Sequence, residues 1–308
     1  MANKIEIRMG GYGPPTTTFS RALKFIGERL EARFGDEIAV RMVWNIMDLG
    51  YRADDIVWLV ESGILTLGYQ SSSYFTDSVP ELGVSDLPFV FPNIEAARAA
   101  FDGRLGAILA QRLEAALNYR IFGWFENGFR HISNRLRPIH RPADMAGMRI
   151  RVLPSDVQAR SFALLGALPQ KLDLTEAIAA IKAGTVDAQE NPLANTVTYG
   201  VHKFHRYHTL SGHFYLSRPI FLHRPTIEAW PGALREAMQQ AIAEAIPYQR
   251  RLALEEEKKS EAAIRAEKCE IVTPSAAEHA EFAAAVRPQL DEARSRYPKE
   301  ILSLLPGF

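Results

Sequence analysis

Two arginines, Arg149 and Arg151, stand two positions apart in the short run Met148-Arg149-Ile150-Arg151-Val152. On a strand alternate residues point to opposite faces, so Met148, Ile150 and Val152 share one face and the arginines the other. Two readings are open. Both can be surface arginines lying along a strand end. Or Arg151 sits at the carboxyl end of the strand, where open α/β sheets bind ligands and a guanidinium can grip a carboxylate with two hydrogen bonds. Further on, Gln189-Glu190-Asn191-Pro192-Leu193 reads as a polar turn after an apolar strand around Val186. Asn191 there is a turn former ahead of proline or an amide aimed at a ligand oxygen. Arg130, in Asn127-Gly128-Phe129-Arg130, is a second cation for the same site or a plain surface charge. Ser71-Ser72-Ser73 follows a buried apolar stretch and is placed to line a cleft. This equipment suits the capture of a small carboxylate better than the cutting of a bond.

Other chemistries find less support. His202, His205 and His208 are spaced three apart with His213 beyond, which opens a zinc reading. No His-Glu-x-x-His motif accompanies them, and no cysteine is near. A metal-dependent hydrolase built on these histidines remains the alternative from another class, but we expect no catalytic residues, no metal and no cofactor. Gly10-Gly11-Tyr12-Gly13 follows a strand-like segment without either glycine-rich phosphate-binding pattern. No Gly-x-Ser-x-Gly elbow occurs.

The elements that must hold these residues alternate. Ile5, Ile7 and Met9 read as a strand, residues 19–34 as a helix, 38–44 as a strand, 53–63 as a helix and 64–69 as a buried strand. Residues 71–93 read as a long loop, followed by helices near 94–102 and 104–118 and two strands, 119–125 and 129–133. A second strand–helix set starts at Met148. Strands alternating with helices predict a mainly parallel sheet, and the repeat predicts two α/β lobes. Residues 231–268 read as one helix kinked at Pro247, roughly 50–60 Å long and able to brace both lobes. The 308 residues carry 36 basic and 36 acidic side chains, so no global field draws nucleic acid. Cys269 is the single cysteine, which excludes an intramolecular disulfide. No apolar run is long enough to span a membrane, and Met1 to Lys4 lead into the first strand without a signal-peptide core.

In these stretches the chain resembles the DctP-type solute-binding proteins of tripartite ATP-independent periplasmic (TRAP) transporters. The resemblance lies in Asp144 to Val152, Leu165-Gly166-Ala167, Ala183 to Leu193 and Ser211-Gly212-His213, and upstream in Ser62 to Gly68 and Asp86 to Phe91. It implies a two-lobe periplasmic-binding-protein-like fold, type II-like, with mixed mainly parallel sheets and a long helix spanning both lobes. Lobe I would comprise residues 1–125 plus 214–250 and lobe II residues 126–213 plus 251–308, with the ligand cleft between them. Arg151 matches the arginine that pairs with the ligand carboxylate, Asn191 the asparagine that assists it, and Arg130 a second arginine used by some members. Leu174 stands where relatives often carry an aromatic residue. Tyr12, Tyr51, Ser72, Tyr74, Trp124 and His213 are expected to line the cleft, and so many rings favour an aromatic or bulky monocarboxylate. The implied protein is a periplasmic monomer whose signal peptide is absent from this chain, delivering its acid to TRAP membrane permease subunits. A cytoplasmic ligand sensor is the further alternative.

Overall fold

The computed structural model describes residues 4–308, so Met1 to Asn3 of the leader reading lie outside the described residues. Ile5–Gly10 (β1) runs parallel to Ile38–Val43 (β2), joined by the helix Thr18–Phe34 (α1). The Thr17 hydroxyl accepts the Ser20 amide at 3.2 Å and starts that helix, as an N-cap threonine should. The predicted helix at 53–63 is a 3-10 turn, Ala53–Asp55, leading into the short helix Ile56–Glu61 (α2). Leu67–Tyr69 (β3) then meets β1 at Met9. The loop that follows is largely 3-10 turns, Ser72–Phe75 and Pro80–Asp86.

Helices Ile94–Asp102 (α3) and Arg104–Ala116 (α4) lead into Tyr119–Asn134 (β4). Here the sequence suggested two strands; the structure forms one, about 50 Å long at the usual rise per residue. Gly128 is why the reading split: its φ of +91° breaks the alternation, and the pairing of β4 shifts register at Glu126/Gly128. The second set consists of Arg149–Val152 (β5), Asp156–Leu164 (α5), Leu168–Lys171 (β6), Leu174–Ala183 (α6), Ala188–Asn191 (β7) and Leu193–Thr198 (α7). β5 lies parallel to β6 and β7. The stretch Gln189-Glu190-Asn191, read as a turn, is therefore itself strand. It is polar yet buried, because its side chains bond one another and Arg130, Asn195 and Thr196.

Tyr207–His223 (β8) recrosses the molecule antiparallel to β4, and the strand order is β2-β1-β3-β8-β4-β7-β5-β6. One sheet thus passes through both lobes, with β4 and β8 as crossovers. Arg224–Ala229 (α8) precedes Gly232–Ala266 (α9), a 35-residue helix continuous through Pro247. Gln249 of α9 uses both ends of its amide on Glu126 of β4: its oxygen accepts the backbone N–H at 3.0 Å and its nitrogen donates to the carbonyl at 2.9 Å. The long helix is thereby fastened to the crossover beside its register shift, where β4 lacks a regular partner. Glu270–Val272 (β9) pairs with β8, and Ala276–Arg296 (α10) and Lys299–Leu302 (α11) close the chain. The expected lobe II tail needs amendment. Ile301, Leu302 and Leu305 are buried in the core that holds Val84, Val90 and Leu105, and the Gly307 N–H donates to the Val90 carbonyl at 2.8 Å. Residues 297–308 return to lobe I because their apolar face is covered there.

Candidate ligand-binding site

Arg151 and Gln189 are paired across β5 and β7, so their side chains share one face, and Asn191 two residues on shares it too. α7 begins just past Pro192 and carries Asn195 one turn beyond Asn191. The Asn195 amide donates to the Asn191 and Asn127 side-chain oxygens at 3.1 and 3.2 Å. Glu257 of α9 holds α7 in place by accepting the Leu193 and Ala194 amides at 3.1 Å each. Across the gap, lobe I supplies Tyr12 from the end of β1 and Gln70, Ser71 and Tyr74 from the end of β3. Together with Leu153, Leu174, Tyr199, Arg130 and Arg218 these side chains line a narrow cavity of about 20 Å³.

The lobes meet around this cavity. The Tyr74 hydroxyl donates to Asp173 at 3.2 Å, the Ala53 amide to the Thr175 hydroxyl at 3.1 Å, and Arg52 pairs with Glu176 at 3.3 Å. Farther in, Gln158 of α5 donates to the Ser73 hydroxyl and to Asp86 at 3.2 and 3.1 Å. The form described is a closed one.

Charge in the cavity is one-sided. Arg151 is 1% exposed; its Nε donates to the Leu172 carbonyl at 3.0 Å and its Nη2 has no partner. Arg130 is equally buried but engaged, with Nε on one oxygen of Glu190 and Nη2 on the other. Burial pushes the Glu190 carboxyl up, but the Arg130 charge and its hydrogen bonds, with the His213 ring 3.7 Å away, prevail and hold it low. Arg218 of β8 lies over the Phe19 ring at 4.0 Å and donates to Asn127 at 2.8 Å. Burial pushes the Tyr12, Tyr74 and Tyr199 phenols above their ordinary range, so they stay neutral hydrogen-bonding groups.

Of the residues singled out in the sequence, Arg151, Asn191, Arg130, Tyr12, Tyr74 and Leu174 are brought together. Four are not among those lining the cavity. Tyr51 lies at the surface edge-on to Trp58, with ring centroids 6.0 Å apart. Ser72 is sealed against the Ser85 hydroxyl at 3.0 Å. Trp124 packs on Phe101 in the lobe I core. His213 bonds Ser211 at 2.7 Å and packs on Phe162 and Phe214, behind the Arg130–Glu190 pair. In each case an aromatic or hydrogen-bonding neighbour outside the cavity holds the side chain. Ser71, read with its serine neighbours as placed to line a cleft, does so; Gln70, Asn127, Leu153, Asn195, Tyr199 and Arg218 were missed. Only Arg218 carried a signal: a charge inside the apolar run Phe214 to Leu222. The histidines do not converge. His205 bonds the Ser133 hydroxyl and His208 the His205 carbonyl, and burial pulls them down to about 3 and about 4. No group of three or more metal-ligating side chains occurs among the described residues.

A family model described as "Bacterial extracellular solute-binding protein, family 7" (DctP) matches residues 9–296. A C4-dicarboxylate-binding periplasmic protein of Rhodobacter capsulatus is 30% identical over 226 residues, 73% of this chain and 67% of its own. A solute-binding protein of Verminephrobacter eiseniae is 27% identical over 91% of this chain and 82% of its own. Among solved structures, a sugar acid binding protein of Advenella mimigardefordensis with galactonate superimposes with a TM-score of 0.93 at 24% identity, covering 99% and 98% of the two chains. A TRAP periplasmic solute binding protein of Roseobacter denitrificans with β-D-glucuronate gives 0.91 at 25% identity, covering 98% and 99%.

Proposed function

Since the chain belongs to the DctP family of bacterial extracellular solute-binding proteins, we propose that it captures an organic acid between its lobes and hands it to a TRAP membrane permease. The family is one of extracytoplasmic receptors rather than enzymes. No helix among the described residues is long and apolar enough to cross a membrane. The observation that carries the reading is Arg151: a guanidinium buried in the closed cavity with Nη2 unpartnered. A buried cation left without a counter-charge is costly, and a ligand carboxylate supplies one. Asn191 is placed to assist on the same sheet face. Removal of water on closure strengthens the ion pair, so the ligand favours the closed form through contacts made only there.

The ligand's body is a separate matter. Tyr12, Tyr74, Tyr199, Leu153 and Leu174 supply surface for the aromatic or bulky monocarboxylate expected from the sequence. Gln70, Ser71, Asn127 and Asn195 supply hydrogen bonds that such a body would leave unused. Unmade bonds in a buried site are expensive, so we favour a hydroxylated acid, the kind of ligand seen in the similar solved proteins.

Calorimetry with hydroxy acids, dicarboxylates and aromatic monocarboxylates tests the reading. Arg151→Ala removes charge-assisted bonds worth about 3–6 kcal/mol, a loss of roughly 100-fold or more. An Arg151→Ala protein that binds its acid as tightly as before overturns the proposal.

A further inference from the structure

Arg218 faces the same cavity as Arg151 from the opposite lobe's crossover strand. Its side chain is 4% exposed, yet it enters no ion pair among the described residues. Asn127 accepts one hydrogen bond from Nη2, and Nε has no partner. The rings of Phe19 and Tyr12, 4.0 and 5.2 Å from the guanidinium carbon, attract a cation without neutralising it. The acidic groups nearby are committed elsewhere. Glu190 is taken by Arg130. Asp173 accepts from the Tyr74 hydroxyl and the Thr175 amide. Glu256 lines a neighbouring pocket beyond Arg218, without pairing to it. No carboxylate is among the lining residues, and among the described residues neither Arg151 nor Arg218 forms an ion pair. They are held at different places: Arg151 on β5 against the Leu172 carbonyl, Arg218 on β8 over the Phe19 and Tyr12 rings.

We infer that Arg218 is a specificity-determining residue that binds a second anionic group, so that the ligand is a diacid held with one carboxylate on Arg151 and the other on Arg218. The inference rests on the reading of this cavity as an organic-acid site. The unpartnered Ser71 hydroxyl and Asn127 amide nitrogen belong to residues lining the same cavity, which suits hydroxyl groups on the carbon chain.

The test is calorimetry on the full chain with acids paired to differ at one end: succinate with butyrate, galactarate with galactonate. In the unaltered protein the diacid of at least one pair binds about ten-fold tighter or more than its monoacid. Arg218→Gln collapses that ratio by about ten-fold. Asn127→Asp collapses it too while keeping the arginine, because a carboxylate in place of the amide oxygen 2.8 Å away supplies the missing counter-charge. Circular dichroism verifies folding, and if Arg218→Gln does not fold, the parent ratio and Asn127→Asp decide. Monoacids that bind as tightly as their diacids, or a ratio unmoved by the substitutions, overturn the role of Arg218 and leave the organic-acid reading standing. A protein that binds no acid of either kind overturns both.

Discussion

Arg130 and Glu190 form a bidentate ion pair where β4 lies beside β7, and neither side chain reaches solvent. Arg130 also donates to the Glu190 backbone carbonyl at 2.7 Å, which ties the pair to the strand. The consequence reaches the cavity. Of the three arginines lining it, this one arrives neutralised, while Arg151 and Arg218 form no ion pair among the described residues.

Breaking that pair from the acidic side should therefore damage stability first. Glu190→Gln leaves a buried guanidinium without its counter-charge, a change that costs about 3–5 kcal/mol. Urea unfolding measures it. A loss below about 1 kcal/mol would mean that the freed Arg130 finds compensation elsewhere in the cavity.

Asn191→Ala should weaken binding without abolishing it. Its side-chain oxygen is occupied by Asn195, and its nitrogen makes only a 3.4 Å contact with Gln189, which leaves one donor for the ligand. One such bond to a charged oxygen is worth about 1.5 kcal/mol, roughly ten-fold in Kd. Calorimetry with the best-binding acid should place this loss well short of that for Arg151→Ala; equal losses would contradict the assigned ranking.

Asp86 gives a pH dependence. Burial pushes its carboxyl up to about 6, despite hydrogen bonds from Ser73 and Gln158. Its folded value lies above the unfolded one near 3.9, so the folded state binds the proton more tightly. The stabilisation is complete below about pH 4 and is lost as pH rises through about 6, on the order of 3 kcal/mol in all. Asp86→Asn lacks this titration. The stability of the unaltered protein minus that of Asp86→Asn should fall between pH 4 and pH 7 in urea unfolding, and a flat difference would exclude Asp86 as the titrating group.

Gly212 tests the second crossover. Its φ is +54°, and an added methyl would meet only the Phe129 ring at 3.9 Å, so the cost of a side chain is backbone strain alone. Gly212→Ala should cost about 1–2 kcal/mol and Gly212→Asn less, since asparagine tolerates the left-handed region. Equal thermal shifts for the two would show that packing, not backbone conformation, sets the requirement.

Much of the fold could be read in advance because its signals are local. The alternation of Ile5, Ile7 and Met9, the spacing of Phe19, Leu23, Ile26 and Leu30, and the long run ending near Lys268 each describe an element through its own residues. The errors fell where a partner decides. β4 was split because Gly128 interrupts a pattern that β8 restores by pairing, and the polar strand Ala188–Asn191 looked like a turn because burial of polar side chains depends on what they bond.

The same division runs through the site. Residue types and order alone put Arg151 on a short strand and Asn191 just behind another in an α/β protein, since strand periodicity and the strand–helix repeat are properties of short segments. Only the tertiary structure decided which arginines are free. Arg130 is cancelled by a glutamate 60 residues away, whereas Arg218 is buried beside an asparagine and aromatic rings. A charge's availability is set by its neighbours in space, and in a low-dielectric interior that difference separates a fastening in the sheet from a cation still open to an anionic partner.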